Sequence, residues 1–233
     1  MPDGGTVFVF PGQGPQSTPP AIEPAGSAPA FAEEMRRCDA AFAEFMDWSV
    51  LEAAHGGAAS VGLDRVDVMR PVLFAVTVSL VAHQRALGIH PDAVIGHSRG
   101  EIAAAYVAGA LSLPDAAKVV TVSSTAINAI AGTGAMVSIS SPVDPVLESM
   151  RANLAGLEPR KSAIEFISGV TGAGLDTSIL DCDYWYATLR QPVLFEQAIR
   201  WAYEKGYRTF IEASPHPVLT ADIRESLAGC GAR

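Results

Sequence analysis

Gly96, Ser98 and Gly100 place a serine two residues from a glycine on either side, between the apolar run Ala93-Val94-Ile95 and the alanine-rich stretch Ile102-Ala103-Ala104-Ala105. That spacing suits a sharp turn from strand to helix, on which the serine backbone is strained and its hydroxyl exposed. The glycines leave room for strand and helix to approach each other. Ser98 is therefore the candidate nucleophile. The backbone N–H groups at the helix start, beginning with Arg99, would face an oxyanion formed on an acyl group at its oxygen. Gly-x-Ser-x-Gly also occurs on ordinary turns, so the pentapeptide alone leaves both readings open.

A nucleophile elbow needs a strand before it and a helix behind it, and the chain supplies both in alternation. Thr6 to Phe10 is a short apolar run that reads as a buried strand, closed by Pro11-Gly12-Gln13-Gly14. Residues 15–29 and 55–62 read as loops; Phe31, Met35, Cys38, Phe42 and Phe45 recur at helical spacing from Ala30 to Phe45. Pro71 is expected to open a long apolar helix to Leu87, stopped by Gly88. Ala93 to Ile95 is the second strand. Further helices are expected over 115–130, 145–154, 195–205 and 218–227, with strands over 135–139, 164–168 and 209–212. The alternation implies an α/β fold whose parallel sheet is covered by helices, with the site at the carboxyl ends of the strands.

Composition narrows the function classes. The 233 residues suffice for one sizeable core, and 49% hydrophobic against 18% charged residues excludes a disordered chain. A net charge of −9 argues against a nucleic-acid surface. Cys38, Cys182 and Cys230 are odd in number and far apart, so they suggest neither a disulfide framework nor a metal site, and a reducing cytoplasm fits. No stretch is expected to span a membrane, and residues 1–5 lack the features of a signal peptide.

Five segments in register carry a resemblance: Phe10 to Gln16, Gly96-His97-Ser98-Arg99-Gly100-Glu101 continued by 102–113, Asp183-Tyr184-Trp185-Tyr186, Arg190-Gln191-Pro192-Val193-Leu194-Phe195, and Ser214-Pro215-His216-Pro217-Val218-Leu219. In these the chain resembles the acyltransferase domain of modular type I polyketide synthases, relatives of malonyl-CoA:acyl carrier protein transacylase. The resemblance implies an α/β-hydrolase-like large subdomain and a ping-pong reaction. A serine takes an acyl group from acyl-CoA and passes it to the phosphopantetheine thiol of an acyl carrier protein; no cofactor is bound. It also implies flanking ketosynthase and linker domains as partners, and neither nucleic acid nor membrane. Ser98 is the nucleophile on this reading, with Gln13 and Arg99 supplying the oxyanion hole through their amides.

The chain departs from the family at the base. Relatives carry a catalytic histidine in a Tyr-Ala-Ser-His or His-Ala-Phe-His motif, after a small ferredoxin-like subdomain. Neither motif is present, and no histidine lies between Ala135 and Ile164. Met136-Val137-Ser138-Ile139 instead runs through residues 140–143 into Asp144 to Met150, which looks like the helix that follows the missing histidine. Residues 1–233 thus read as a single large subdomain whose small-subdomain insertion is missing near 139–145. Activity is expected to be weak or lost.

Selectivity departs as well. Ser123 stands where relatives that take malonyl-type groups carry an arginine for the free carboxylate, which favours a neutral acyl group. Arg70 stands where the family commonly has glutamine, and Arg70 or Arg99 could restore a charge to the acyl pocket or lie solvated on the surface; Ser17 replaces a tryptophan. His97 reads as part of the acyl pocket more than as a base, and His216 as shaping the floor of the site. Gln191 matches a residue that orients the absent histidine, and Tyr184, Trp185 and Tyr186 read as packing aromatics. Two alternatives stay open: a serine thioesterase or hydrolase using Ser98, Asp181 or Asp183, and His216 in the α/β-hydrolase order, and a non-catalytic structural module of a megasynthase.

Overall fold

A computed structural model describes residues 4–13, 28–56, 65–130 and 145–228. Its sheet has five strands in the order β4-β3-β2-β1-β5. These are β1 (Gly5–Phe10), β2 (Ala93–Gly96), β3 (Glu165–Ser168), β4 (Ala173–Gly174) and β5 (Tyr207–Glu212). All pair in parallel except the two-residue β4, which runs antiparallel to β3 at the edge. The expected strand at 135–139 lies outside the described residues, as do Ser17 and Cys230.

Strand β1 is continuously apolar because both of its faces are covered. Phe8 and Phe10, with Val94 of β2 and Phe166 of β3, point into the larger core. That core is closed by α1 (Pro29–Phe42), α2 (Val50–Ala54), α3 (Val66–Ala86), α4 (Gly100–Ala108), α5 (Leu113–Ile130), α6 (Pro145–Asn153) and α7 (Cys182–Arg190). Val7, Val9, Ile95 and Ile167 point the other way, against α8 (Phe195–Glu204) and α9 (Thr220–Ala228).

Two expectations about α3 need correction, and one helix was not anticipated. Helix α3 begins at Val66, not Pro71, which lies inside it. Asp67 stands in its first turn and Val68 is fully buried, so electrostatics at the helix end and apolar burial together carry the helix past the bond that proline cannot make. It does end where expected, with Gly88 at φ +81°. The same α3 is long and apolar enough, by length and a mean hydropathy of 1.5, to cross a membrane, contrary to the sequence reading; 61% of that window is buried among neighbouring helices. The segment around Tyr184-Trp185-Tyr186 is a helix, α7, capped by the Asp181 side chain on the Tyr184 amide at 3.0 Å.

Candidate active site

The ends of β1 and β2 lie side by side, and the ladder continues one bond past the strands, from the His97 amide to the Phe10 carbonyl at 2.8 Å. The chain then turns within three residues. Gly100, Glu101 and Ile102 donate to the carbonyls of His97, Ser98 and Arg99 at 3.0, 3.1 and 3.1 Å, a tight turn that opens into α4. At its apex Ser98 has φ +56°, the one left-handed value among the described residues that are not glycine. Such a conformation costs a non-glycine residue roughly 1–2 kcal/mol and persists where surrounding structure enforces it.

The enforcing contacts are at the glycines. A Cβ on Gly100 would lie 2.6 Å from the Phe10 carbonyl carbon and overlap its oxygen, and a Cβ on Gly96 would lie 2.6 Å from the Glu101 Cγ. Gly12 seals the corner: a Cβ there would be 2.5 Å from the His97 carbonyl oxygen, 2.9 Å from the Arg99 amide nitrogen and 3.2 Å from the Ser98 Cβ. The loop carrying Gln13, whose own side chain is exposed, therefore crosses directly over the elbow. Among the described residues the Arg99 amide has no hydrogen-bond partner, so an N–H at the head of α4 is open beside Ser98.

A small cavity of about 30 Å³, continuous with solvent, opens from this corner between Gly12, Arg70, Phe74, Arg99, Val120 and Ser124. The structure thus brings Arg70 and Arg99 together. Nη1 of Arg70 and Nε of Arg99 are buried without a hydrogen-bond partner among the described residues. Burial lowers Arg70 to about 10, and burial reinforced by the neighbouring Arg70 lowers Arg99 to about 9, so both remain cations at neutral pH. Ser123 is buried in α5 but does not border the cavity; its neighbour Ser124 does, with its hydroxyl turned to the Val120 carbonyl at 2.7 Å. Two adjacent cations with no acid beside them among the described residues destabilise the fold. Arg70→Met should raise stability by about 1 kcal/mol, a shift of roughly 2–4 °C in a thermal melt, the gain being limited by the solvent that reaches the guanidinium.

His97 does not border the cavity; its ring is edge-on to Phe195 with centroids 5.1 Å apart. Burial lowers its pKa, against a smaller opposing pull from Asp222, so the ring is neutral at pH 7. His216 is half-buried in the turn after β5, its Nε2 enclosed without a partner among the described residues. That turn is organised by Glu212, whose carboxylate accepts from the amides of Val218 and Leu219 at 2.6 and 3.1 Å and from the Thr220 hydroxyl at 2.8 Å. The acids of the thioesterase alternative are engaged elsewhere: Asp181 caps α7, and Asp183 pairs on the surface with Arg151 at 2.9 Å.

Sequence reasoning passed over the group behind the elbow. Glu101 is 1% exposed. Its Oε2 accepts from the Tyr184 hydroxyl at 2.6 Å and its Oε1 from the Gly169 amide. Tyr184 and Ser168 share a further hydrogen bond of 2.7 Å. Burial raises the Glu101 carboxyl to about 7 against the hydrogen bonds that lower it. A charged residue inside an otherwise apolar first helical turn was the available signal.

The sequence profile of the family described as "Acyl transferase domain" matches residues 7–143 and again 138–230. The mycoketide-CoA synthase of Mycobacterium tuberculosis is 45% identical over 289 aligned positions, which cover 97% of this chain and 7% of that protein. A loading acyltransferase from the avermectin modular polyketide synthase is 36% identical, with a TM-score of 0.85 over 97% of this chain and 92% of that one. The acyltransferase domain from module 8 of the salinomycin polyketide synthase is 37% identical, also with a TM-score of 0.85, over 99% of this chain and 70% of that one.

Proposed function

The chain belongs to the acyl transferase domain family, in the branch found in modular polyketide synthases, and from that premise we propose that it carries an acyl group from coenzyme A to an acyl carrier protein by way of an ester on Ser98. The observation that carries the proposal is the left-handed Ser98 beside the open Arg99 amide, with its chain neighbours Arg99 and Gly100 lining a cavity. Ser98 Oγ attacks the thioester carbonyl, its proton passes to solvent, and negative charge gathers on the carbonyl oxygen. The amides of Arg99 and Gln13 would receive that charge. The carbon–sulfur bond then breaks, and the coenzyme A thiolate leaves and is protonated. In the return half, the phosphopantetheine thiol of the carrier protein attacks the ester, and Ser98 regains a proton. The carrier protein, ketosynthase and linker domains of a synthase are the partners, and cytoplasmic conditions suit the free Cys38 and Cys182 thiols.

No histidine stands where relatives place their base, and two findings support a missing segment near 139–145. The 289 aligned positions exceed the 233 residues of this chain, so the relative carries residues that this chain lacks. The family profile also matches in two pieces that meet at 138–143. Loss of a general base costs about 10²- to 10⁴-fold, so acylation proceeds slowly, with solvent as the proton acceptor.

The sequence argument for a neutral acyl group rested on Ser123. Two guanidinium groups in the cavity wall, each with a buried nitrogen that has no partner among the described residues, support instead an acyl group that bears a carboxylate. Incubation with malonyl-CoA and with propionyl-CoA, followed by intact-mass measurement, tests both parts. The expected result is one added acyl mass on Ser98, accumulating several-fold faster from malonyl-CoA. Equal or faster labelling by propionyl-CoA overturns the carboxylate assignment, and no labelling by either overturns the acyl-serine.

A further inference from the structure

Glu101 is wedged between the strand that delivers the nucleophile and the loop behind it. Its backbone abuts Gly96, and a Cβ on Gly169 would lie 2.9 Å from its Oε1 and 2.9 Å from the Gly96 carbonyl oxygen. From Gly169 the contacts run back to the site. The Gly169 carbonyl accepts from the Leu194 amide at 2.7 Å, and the next residue, Phe195, carries the ring that meets His97. Tyr184 of α7 is the one titratable side chain that acts on Glu101 among the described residues, and no cation balances it.

We propose that Glu101 is a positioning residue: its ionised carboxylate, through Tyr184, Ser168 and the Gly169 amide, holds the first turn of α4 behind Ser98 and the contact of His97 with Phe195, and its protonation loosens that hold. This rests on the reading of Ser98 as the acyl carrier. The direction of the hydrogen bonds supplies the reason. With Glu101 ionised, the Ser168 hydroxyl donates to Tyr184 and Tyr184 donates to Oε2, while Oε1 takes the Gly169 amide, so every proton is used. The Ser168 oxygen meanwhile accepts from the amides of Val170 and Thr171 at 3.0 and 3.1 Å. With Glu101 protonated, the acid proton goes to the Tyr184 oxygen, the Tyr184 proton to Ser168, and the Ser168 proton is left in the core with no acceptor among the described residues. Oε1 also becomes a neutral, weaker acceptor for Gly169. The tie between α4, the loop after β3 and α7 slackens in that form.

The carboxyl titrates near 7, so between pH 8 and pH 6 its ionised share falls from about nine-tenths to about one-tenth. The test follows the rate of Ser98 modification by an alkyl fluorophosphonate across that window, with infrared spectra of the protein alone. In wild type the rate should fall about tenfold from pH 8 to pH 6, while the carbonyl band of a protonated carboxyl grows. Glu101→Gln, which reproduces the neutral donor pattern, should give the slow rate throughout, with no titrating band. Tyr184→Phe removes a hydrogen bond that favours the ionised form, so its inflection should move to higher pH. A thermal melt checks folding and carries its own sign. Because the folded pKa lies above the unfolded value of 4.5, Glu101 favours the fold fully below about pH 4.5, and that contribution is lost as pH rises through about 7. Wild type should therefore melt earlier at pH 8 than at pH 5, and Glu101→Gln should lack that decline. A folded Glu101→Gln that keeps the wild-type rate profile, or a wild type with no titrating band, overturns the proposal alone. Absence of Ser98 modification in wild type at every pH overturns the acyl-serine reading, and this proposal with it.

Discussion

Ser98→Ala is expected to abolish the acyl mass that acyl-CoA adds to the protein, a loss of at least about 10³-fold relative to slow wild-type labelling. No other group can take over, because the covalent step needs an oxygen at the head of α4, facing the open Arg99 amide. Alanine keeps the left-handed strain at φ +56° and removes only the oxygen, so the melt of this variant should stay near wild type. Ser98→Gly removes the oxygen and the strain together, and its stability should rise by about 1 kcal/mol. That pair separates chemistry from folding. A non-catalytic module would instead show no labelling in wild type, and a thioesterase would release free acid without a carrier protein and lose that activity in His216→Ala. Labelling that survives in Ser98→Ala would mean that the acyl group sits elsewhere, and the assignment of the elbow would fall.

The elbow was legible because it is local: three residues within five positions determine the turn, and the apolar runs on either side determine strand and helix. The two-faced burial of β1 was legible for the same reason, since a continuous apolar run has no solvent face. What stayed hidden depends on residues distant in sequence. Glu101 and Tyr184 are 83 positions apart, and their hydrogen bond follows from the packing of α7 beside β3, which no periodicity encodes. Arg70 and Arg99 converge only because α3 starts before Pro71, a boundary set by burial of Val68 against a residue rule that pointed elsewhere. Some misses were avoidable. Ser49 followed three residues later by Glu52 is a helix-start signal, and the Ser49 hydroxyl does cap α2 by accepting from the Glu52 amide at 3.0 Å. The role of Ser123 was inferred from a family position, and the cavity passes one residue to its side.

Gly100→Ala is expected to be, with Gly96→Ala, among the most damaging single methyls that can be added to the described residues around the site. Its Cβ would overlap the Phe10 carbonyl oxygen and lie 2.9 Å from the Pro11 carbonyl carbon, both of them backbone atoms that no rotamer change can move aside. Relief requires β1 to part from α4, at the cost of burial at Phe8 and Phe10 on one face of the sheet and Val7 and Val9 on the other. Overpacking against side chains typically costs about 1–3 kcal/mol; against fixed backbone at the centre of the sheet, a loss of about 3 kcal/mol or more is expected, roughly 10 °C in a melt of a chain this size. Gly109 is the control. It sits at φ +83° at the end of α4, with nothing within 4 Å of the place its Cβ would occupy, so Gly109→Ala carries only the strain of a left-handed alanine, about 1 kcal/mol. If the two variants melt together, close approach of strand and helix is not what shapes the elbow. If Gly100→Ala falls far below Gly109→Ala and also loses Ser98 labelling while still folded, then the contact that packs β1 on α4 is also the one that lays the Pro11 to Gln13 loop across the nucleophile.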